Sequence, residues 1–125
     1  MEFAVSIVML ERKLRGTHER IISAQVCRSG TSIGANIREA QFASSRADFV
    51  NKLQVALKEA NETLYWLELL YRSNQIDGEY YGELNDSCTA LLRMLVASIN
   101  TAKNHNSSRE AKEQESVERI LKSES

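Results

Sequence analysis

The sequence predicts an all-α protein built as an antiparallel up-down-up-down four-helix bundle, and three observations lead there. Its 125 residues contain no proline and only five glycines, so little interrupts a helix except where small polar residues gather. Leu, Ala, Glu, Arg and Lys, which lose least conformational freedom on becoming helical, are abundant. Large apolar side chains recur at i, i+3, i+4 and i+7 in four successive runs joined by short polar breaks. A chain of this length holds one domain, and four such segments bury their stripes most simply in one shared core.

The first helix is expected at about 2–15, with Phe3, Ile7, Leu10 and Leu14 on its buried side and Ala4 and Val8 beside them. Ten apolar-rich residues followed at once by charge from Glu11 to Arg15 are too few for a membrane span, so this is an amphipathic helix. Gly16 ends it, Thr17 caps the next, and the chain turns back. The second helix, about 18–42, carries the most unusual stretch, Arg28-Ser29-Gly30-Thr31-Ser32-Ile33-Gly34-Ala35-Asn36-Ile37-Arg38-Glu39-Ala40. Two interior glycines cost roughly 1 kcal/mol each against alanine, which favours a loop. Periodicity favours a helix, since Ile22, Val26, Ile33, Ile37 and Ala40 form one stripe running straight through them. Ser29, Gly30, Ser32, Gly34 and Ala35 then become places where another helix can approach closely.

The third helix, about 45–73, follows the capping hydroxyls of Ser44 and Ser45, with Asp48 in its first turn where the helix dipole favours an acid. Its stripe is Phe49, Leu53, Ala56, Leu57, Ala60, Leu64, Leu67 and Tyr71, widened by Trp66 and Leu70. Asp77 caps the fourth, about 77–103, and Ile76 is placed to staple onto Tyr81. Its buried side holds Tyr81, Leu84, Cys88, Leu91, Leu92, Leu95, Ile99 and Ala102. After Lys103 the chain turns polar, and only Val117, Ile120 and Leu121 are large and apolar. Residues 104–125 are thus a tail for which two readings stay open: a solvated helix begun by a Ser107/Glu110 capping box, or a mobile segment.

Sixteen basic and seventeen acidic residues leave a net charge of -1, so overall charge announces neither nucleic acid nor membrane as a partner. Locally, Arg12, Lys13, Arg15, Arg20, Arg28, Arg38 and Arg46 outnumber Glu11, Glu19 and Glu39, a surplus that could meet phosphate if gathered on one face. Arg28 falls on a different side of the second helix from Arg20 and Arg38, so the patch is not continuous there. Cys27 and Cys88 sit at stripe positions without a C-x-x-C grouping or a secretory leader, and a reduced, cytoplasmic setting is expected.

The stretch from Arg28 to Ala40, followed by Asp48-Phe49, Lys52-Leu53, Ala56-Leu57-Lys58-Glu59-Ala60, Glu62-Thr63 and Trp66-Leu67, resembles the bacterial four-helix-bundle family named for intervening sequences of large-subunit ribosomal RNA genes. The resemblance spans roughly Phe3 to Lys103. It implies an antiparallel bundle assembled as a homopentamer, with no established catalytic residues. A related branch, the accessory variability determinant proteins of diversity-generating retroelements, implies an alternative: a basic pentamer that binds nucleic acid and a reverse transcriptase. Near-neutral charge sets this chain apart from that branch.

Other chemistry finds less support. A di-iron bundle needs Glu-x-x-His on two helices; Arg15 stands three residues before His18 and Ala102 three before His105, so no metal or cofactor is expected. Glu59 and Glu62 share a helix face like paired carboxylates, but no nucleophile accompanies them, and Gly30-x-x-x-Gly34 lacks the Gly-Lys-Ser/Thr ending of a phosphate loop. A hydrolase or metal enzyme therefore ranks last, and no catalytic residue or small-molecule substrate is assigned. Ser32, Asn36 and Glu39, along one flank of the second helix within reach of Arg28, are read as fixing helix register or a subunit contact. Tyr65, Trp66, Tyr71, Tyr80 and Tyr81 near the last turn suit core or interface. The expectation is a non-enzymatic oligomeric binding or scaffold protein.

Overall fold

The computed structural model describes residues 1–15 and 20–123, the side chains of 106–108 excepted. The Gly16 stop, the Thr17 cap, His18 and the Ser107 hydroxyl lie outside those residues. Four helices follow in order: α1 (Glu2–Leu14), α2 (Arg20–Gln41), α3 (Arg46–Arg72) and α4 (Gly78–Ser123). Among the described residues there is no strand, and no helix is long and apolar enough to cross a membrane.

Cross-helix pairs fix the directions. Arg28 meets Glu62 and Glu39 meets Lys52, so numbers rise on α2 as they fall on α3. Cys88 against Ala60, with Tyr81 stacked on Tyr71, gives the same antiparallel relation between α3 and α4. Each helix packs on its chain neighbours, most extensively α2 on α3, and α1 touches α4 only sparsely where the ring of four closes. The bundle is up-down-up-down.

Local chemistry explains the boundaries. At the start of α3, Ser45 Oγ accepts the Asp48 N–H at 3.0 Å while the Asp48 carboxylate accepts the Ser44 N–H at 3.3 Å, a reciprocal cap. At its end, Asn74 takes the left-handed conformation at φ 63°, which lets the Gln75 N–H reach back to the Leu70 carbonyl at 2.9 Å. Asp77 Oδ1 then accepts the Tyr80 N–H at 2.7 Å to open α4. The partner ring for Tyr81 is Tyr71, at 4.6 Å between centroids.

The helix through Gly30 and Gly34 is unbroken, because packing outweighs the propensity loss. Val26, Ile33 and Ala40 are buried and Ile22 and Ile37 half-buried, joined by Ser23, Ser29 and Gly30. On α3 the buried line is Leu53, Ala56, Ala60, Thr63, Leu67 and Leu70, with Tyr71 at the exposed edge. On α4 it is Leu84, Cys88, Leu95, Ile99 and Ala102.

Beyond that line the structure departs from the expected end at Lys103. The helix continues to Ser123 for 46 residues in all, since no glycine or proline follows Gly82. Among the described side chains none beyond Ala102 is buried, and Arg109–Glu113 and Arg119–Glu115 pairs support the exposed turns, each worth a few tenths of a kcal/mol.

Candidate functional site

Two surfaces of the bundle carry residues that could bind or transmit something. The first is the α2–α3 seam. Ser29 and Thr63, both fully buried, meet there, with the Thr63 and Ser29 hydroxyls 2.8 Å apart. Thr63 Oγ1 can also donate to the Glu59 carbonyl at 2.8 Å, and every buried side-chain polar atom among the described residues has a partner. Next to this pair Arg28 clamps two carboxylates, Glu59 at 3.2 Å and Glu62, while the Trp66 indole N–H donates to Glu62 at 3.2 Å. The Arg28 guanidinium, helped by Trp66, holds the Glu62 carboxyl below the usual glutamate range. The two carboxylates that spacing alone made candidates for acid–base work are therefore acceptors in an interhelical ion pair.

The expected strip on α2 divides into separate contacts. The Asn36 amide donates to Ser32 Oγ at 3.1 Å and to the Ser32 carbonyl at 2.9 Å, within one turn of the same helix. Glu39 instead reaches α3, pairing with Lys52 at 3.2 Å. Arg28 joins neither, since its reach is taken by α3. The interhelical hydroxyl pair was missing from the sequence reading, although Thr63 falls four residues before Leu67 and three after Ala60, squarely in the apolar line.

The seven basic residues do not form one patch. Arg12, Lys13, Arg15 and Arg20 belong to the end where α1 finishes and α2 begins, whereas Arg38 and Arg46 flank the turn between α2 and α3. Eighteen helical residues, about 27 Å, separate Arg20 from Arg38. Arg15 is engaged by Glu11 at 2.8 Å and the Lys13 ammonium sits 4.6 Å above the Tyr80 ring. Arg12, Arg20, Arg38 and Arg46 are exposed.

The second surface is the α1–α4 seam. Ile7 of α1 presses so close to Gly30 that a Cβ there would stand 2.9 Å from both Ile7 γ-carbons, which ties α1 to α2. One turn on, Gly34 has open space instead. A groove of about 700 Å³ opens there between α1, α2 and α4, bordered by Phe3, Ile33, Gly34, Ile37, Leu91 and Met94. Farther along the seam, Val5, Met9, Tyr80 and Leu84 line a smaller cleft of about 350 Å³. All three methionines of the chain, Met1, Met9 and Met94, lie along this seam and are exposed, as are Val5 and Val8.

Among the described residues no group of three His, Cys, Asp or Glu side chains could hold an ion. Cys27 is half-buried, while burial pushes the Cys88 thiol up to about 12, leaving it a core side chain whose S–H faces the Ala60 carbonyl.

Residues 1–97 match the family model described as 23S rRNA-intervening sequence protein. No curated protein matches the chain. Among solved structures, a protein of unknown function from the S23 ribosomal protein family of Bacteroides thetaiotaomicron VPI-5482 is 56% identical with a TM-score of 0.76, covering 78% of this chain and 92% of its own.

Proposed function

The chain belongs to the 23S rRNA-intervening sequence protein family, and from that premise we propose that it works as a non-enzymatic scaffold, assembled as a homopentamer through its α1–α4 seam. The observation that carries this reading is the run of exposed Met1, Val5, Val8, Met9 and Met94 beside an apolar groove. A lone subunit would leave this surface in water, and contiguous apolar patches rimmed by polar residues mark association sites. Methionine suits such a surface because its flexible, polarisable side chain adapts to a partner. The occupied carboxylates at Glu59 and Glu62 support the non-enzymatic part. Light scattering is the test: five times the 14.1 kDa chain mass is expected, and Val5→Glu with Met9→Glu should return the single-chain mass. A wild-type monomer at micromolar concentration overturns the proposal.

An accessory role in nucleic-acid binding, with a polymerase-like protein as second partner, is the other reading. Exposed Arg12 and Arg20 at one end and Arg38 and Arg46 at the other favour it, because repetition round a ring would multiply each group. Binding to a hairpin RNA should then fall steeply with salt as counterions are released; absence of binding at low salt removes this reading.

A further inference from the structure

The last 21 residues of α4 extend past the matched family region and past Ala102, the last side chain that is buried among those described. On this rod Val117, Ile120 and Leu121, spaced i, i+3, i+4, make one apolar strip that is 50% to 61% exposed. The bundle meanwhile keeps an apolar groove that none of its own helices fills. We propose that these two surfaces are partners: the Val117–Leu121 strip of one copy lies in the Phe3/Ile37/Leu91/Met94 groove of another. This rests on the oligomeric reading above and specifies how copies are linked.

Geometry restricts the pairing to different copies. One groove wall, Ser87 to Met94, and the strip are parts of the same uninterrupted helix. Met94 and Val117 are 23 residues apart on it, about 35 Å at the helical rise, so the strip cannot fold back onto its own groove. The dimensions agree. The strip runs about 6 Å along its axis and that wall about 10 Å, while the open space over Gly34 and the small Ala90 admit a helix at close range. Three large side chains entering the groove would act as the i, i+3, i+4 anchors of helix-in-groove recognition. Placing them there also covers two exposed apolar surfaces at once, the groove on the bundle and the strip on the projecting end of α4.

Cysteine cross-linking between co-expressed chains tests this, with Cys27→Ser as background and Cys88 left in the core. One chain carries Gly34→Cys, the other Leu121→Cys. The expected result is a disulfide-linked species at twice the 14.1 kDa chain mass, abundant only when both variants are present and lost on reduction. Leu121→Cys chains linking mainly to each other would show tail-to-tail association and overturn the proposal, as would no cross-link under oxidation. Light scattering of the full wild-type chain separates the two levels of failure. A multiple of the chain mass without the mixed cross-link refutes the tail-in-groove contact alone, whereas a monomer refutes the oligomer as well.

Discussion

The seam between α2 and α3 and the seam between α1 and α4 belong to the same bundle but are held in different ways. The first is closed and specified: a buried hydroxyl pair, Ser29 with Thr63, sits beside the Arg28 clamp on Glu59 and Glu62, and Glu39 reaches Lys52 farther along. The second is open, with Lys13 over Tyr80 as its polar contact and exposed apolar side chains along much of its length. Polar groups buried between helices fix register because only one alignment satisfies them. Apolar surface without such constraints accepts a partner more readily. The contrast puts a specified internal contact on one side of the molecule and an open apolar surface, where we propose association, on the other.

Four substitutions would break or sharpen that contrast. Ile7→Ala removes a fully buried side chain that binds α1 to α2, and a loss of about 2 to 5 kcal/mol is expected in denaturant unfolding. A small loss would mean that α1 is held from the α4 side after all. Gly30→Val forces new methyl groups onto Ile7, whose branched carbons cannot easily retreat, at a cost of about 1 to 3 kcal/mol. Gly34→Ala, one turn away with no atom of its own chain near the new methyl, should gain about 0.5 to 1 kcal/mol from helix propensity in unfolding of the single chain. Opposite signs for these two glycines would map the boundary between closed and open surface, and equal signs would erase it.

Arg28→Met has the smallest expected effect, at most about 1 kcal/mol near neutral pH, because the guanidinium is half exposed. Its value lies in the pH profile. The Glu62 carboxyl is held low in the folded protein, so its contribution is fully present above the ordinary glutamate pKa of about 4.3 and is lost as pH falls through the folded value. Wild-type stability should decline more steeply than that of the variant below about pH 4.3. Parallel acid profiles in thermal melts would show that the clamp contributes nothing to folding.

Much of this was legible in the residues. Capping chemistry located the starts of α3 and α4, since Ser45 and Asp77 act within their own helical turns. Apolar spacing carried α2 through Gly30 and Gly34 against local propensity, because a stripe reports burial and propensity reports only the isolated helix. Arg28, Glu59 and Glu62 could each be picked out, but their meeting depends on the relative register of two helices, which no single-helix pattern encodes. For the same reason Glu39 was grouped with its neighbours Ser32 and Asn36 rather than with Lys52. The polar run after Lys103 left a solvated helix and a mobile segment both open; the tail is helical and continuous with α4, so burial and helicity, which usually stop together, part after Ala102 among the described side chains, and local ion pairs support the helix alone.

That parting has a hydrodynamic consequence. A helix of 46 residues is about 69 Å long, whereas a compact domain of 100 residues has a radius of gyration near 13 Å. Roughly 30 Å of the helix projects as a thin rod that adds friction out of proportion to its mass. Even a single chain will leave a sizing column ahead of a compact standard of 14.1 kDa, and elution volume alone will overcount its subunits.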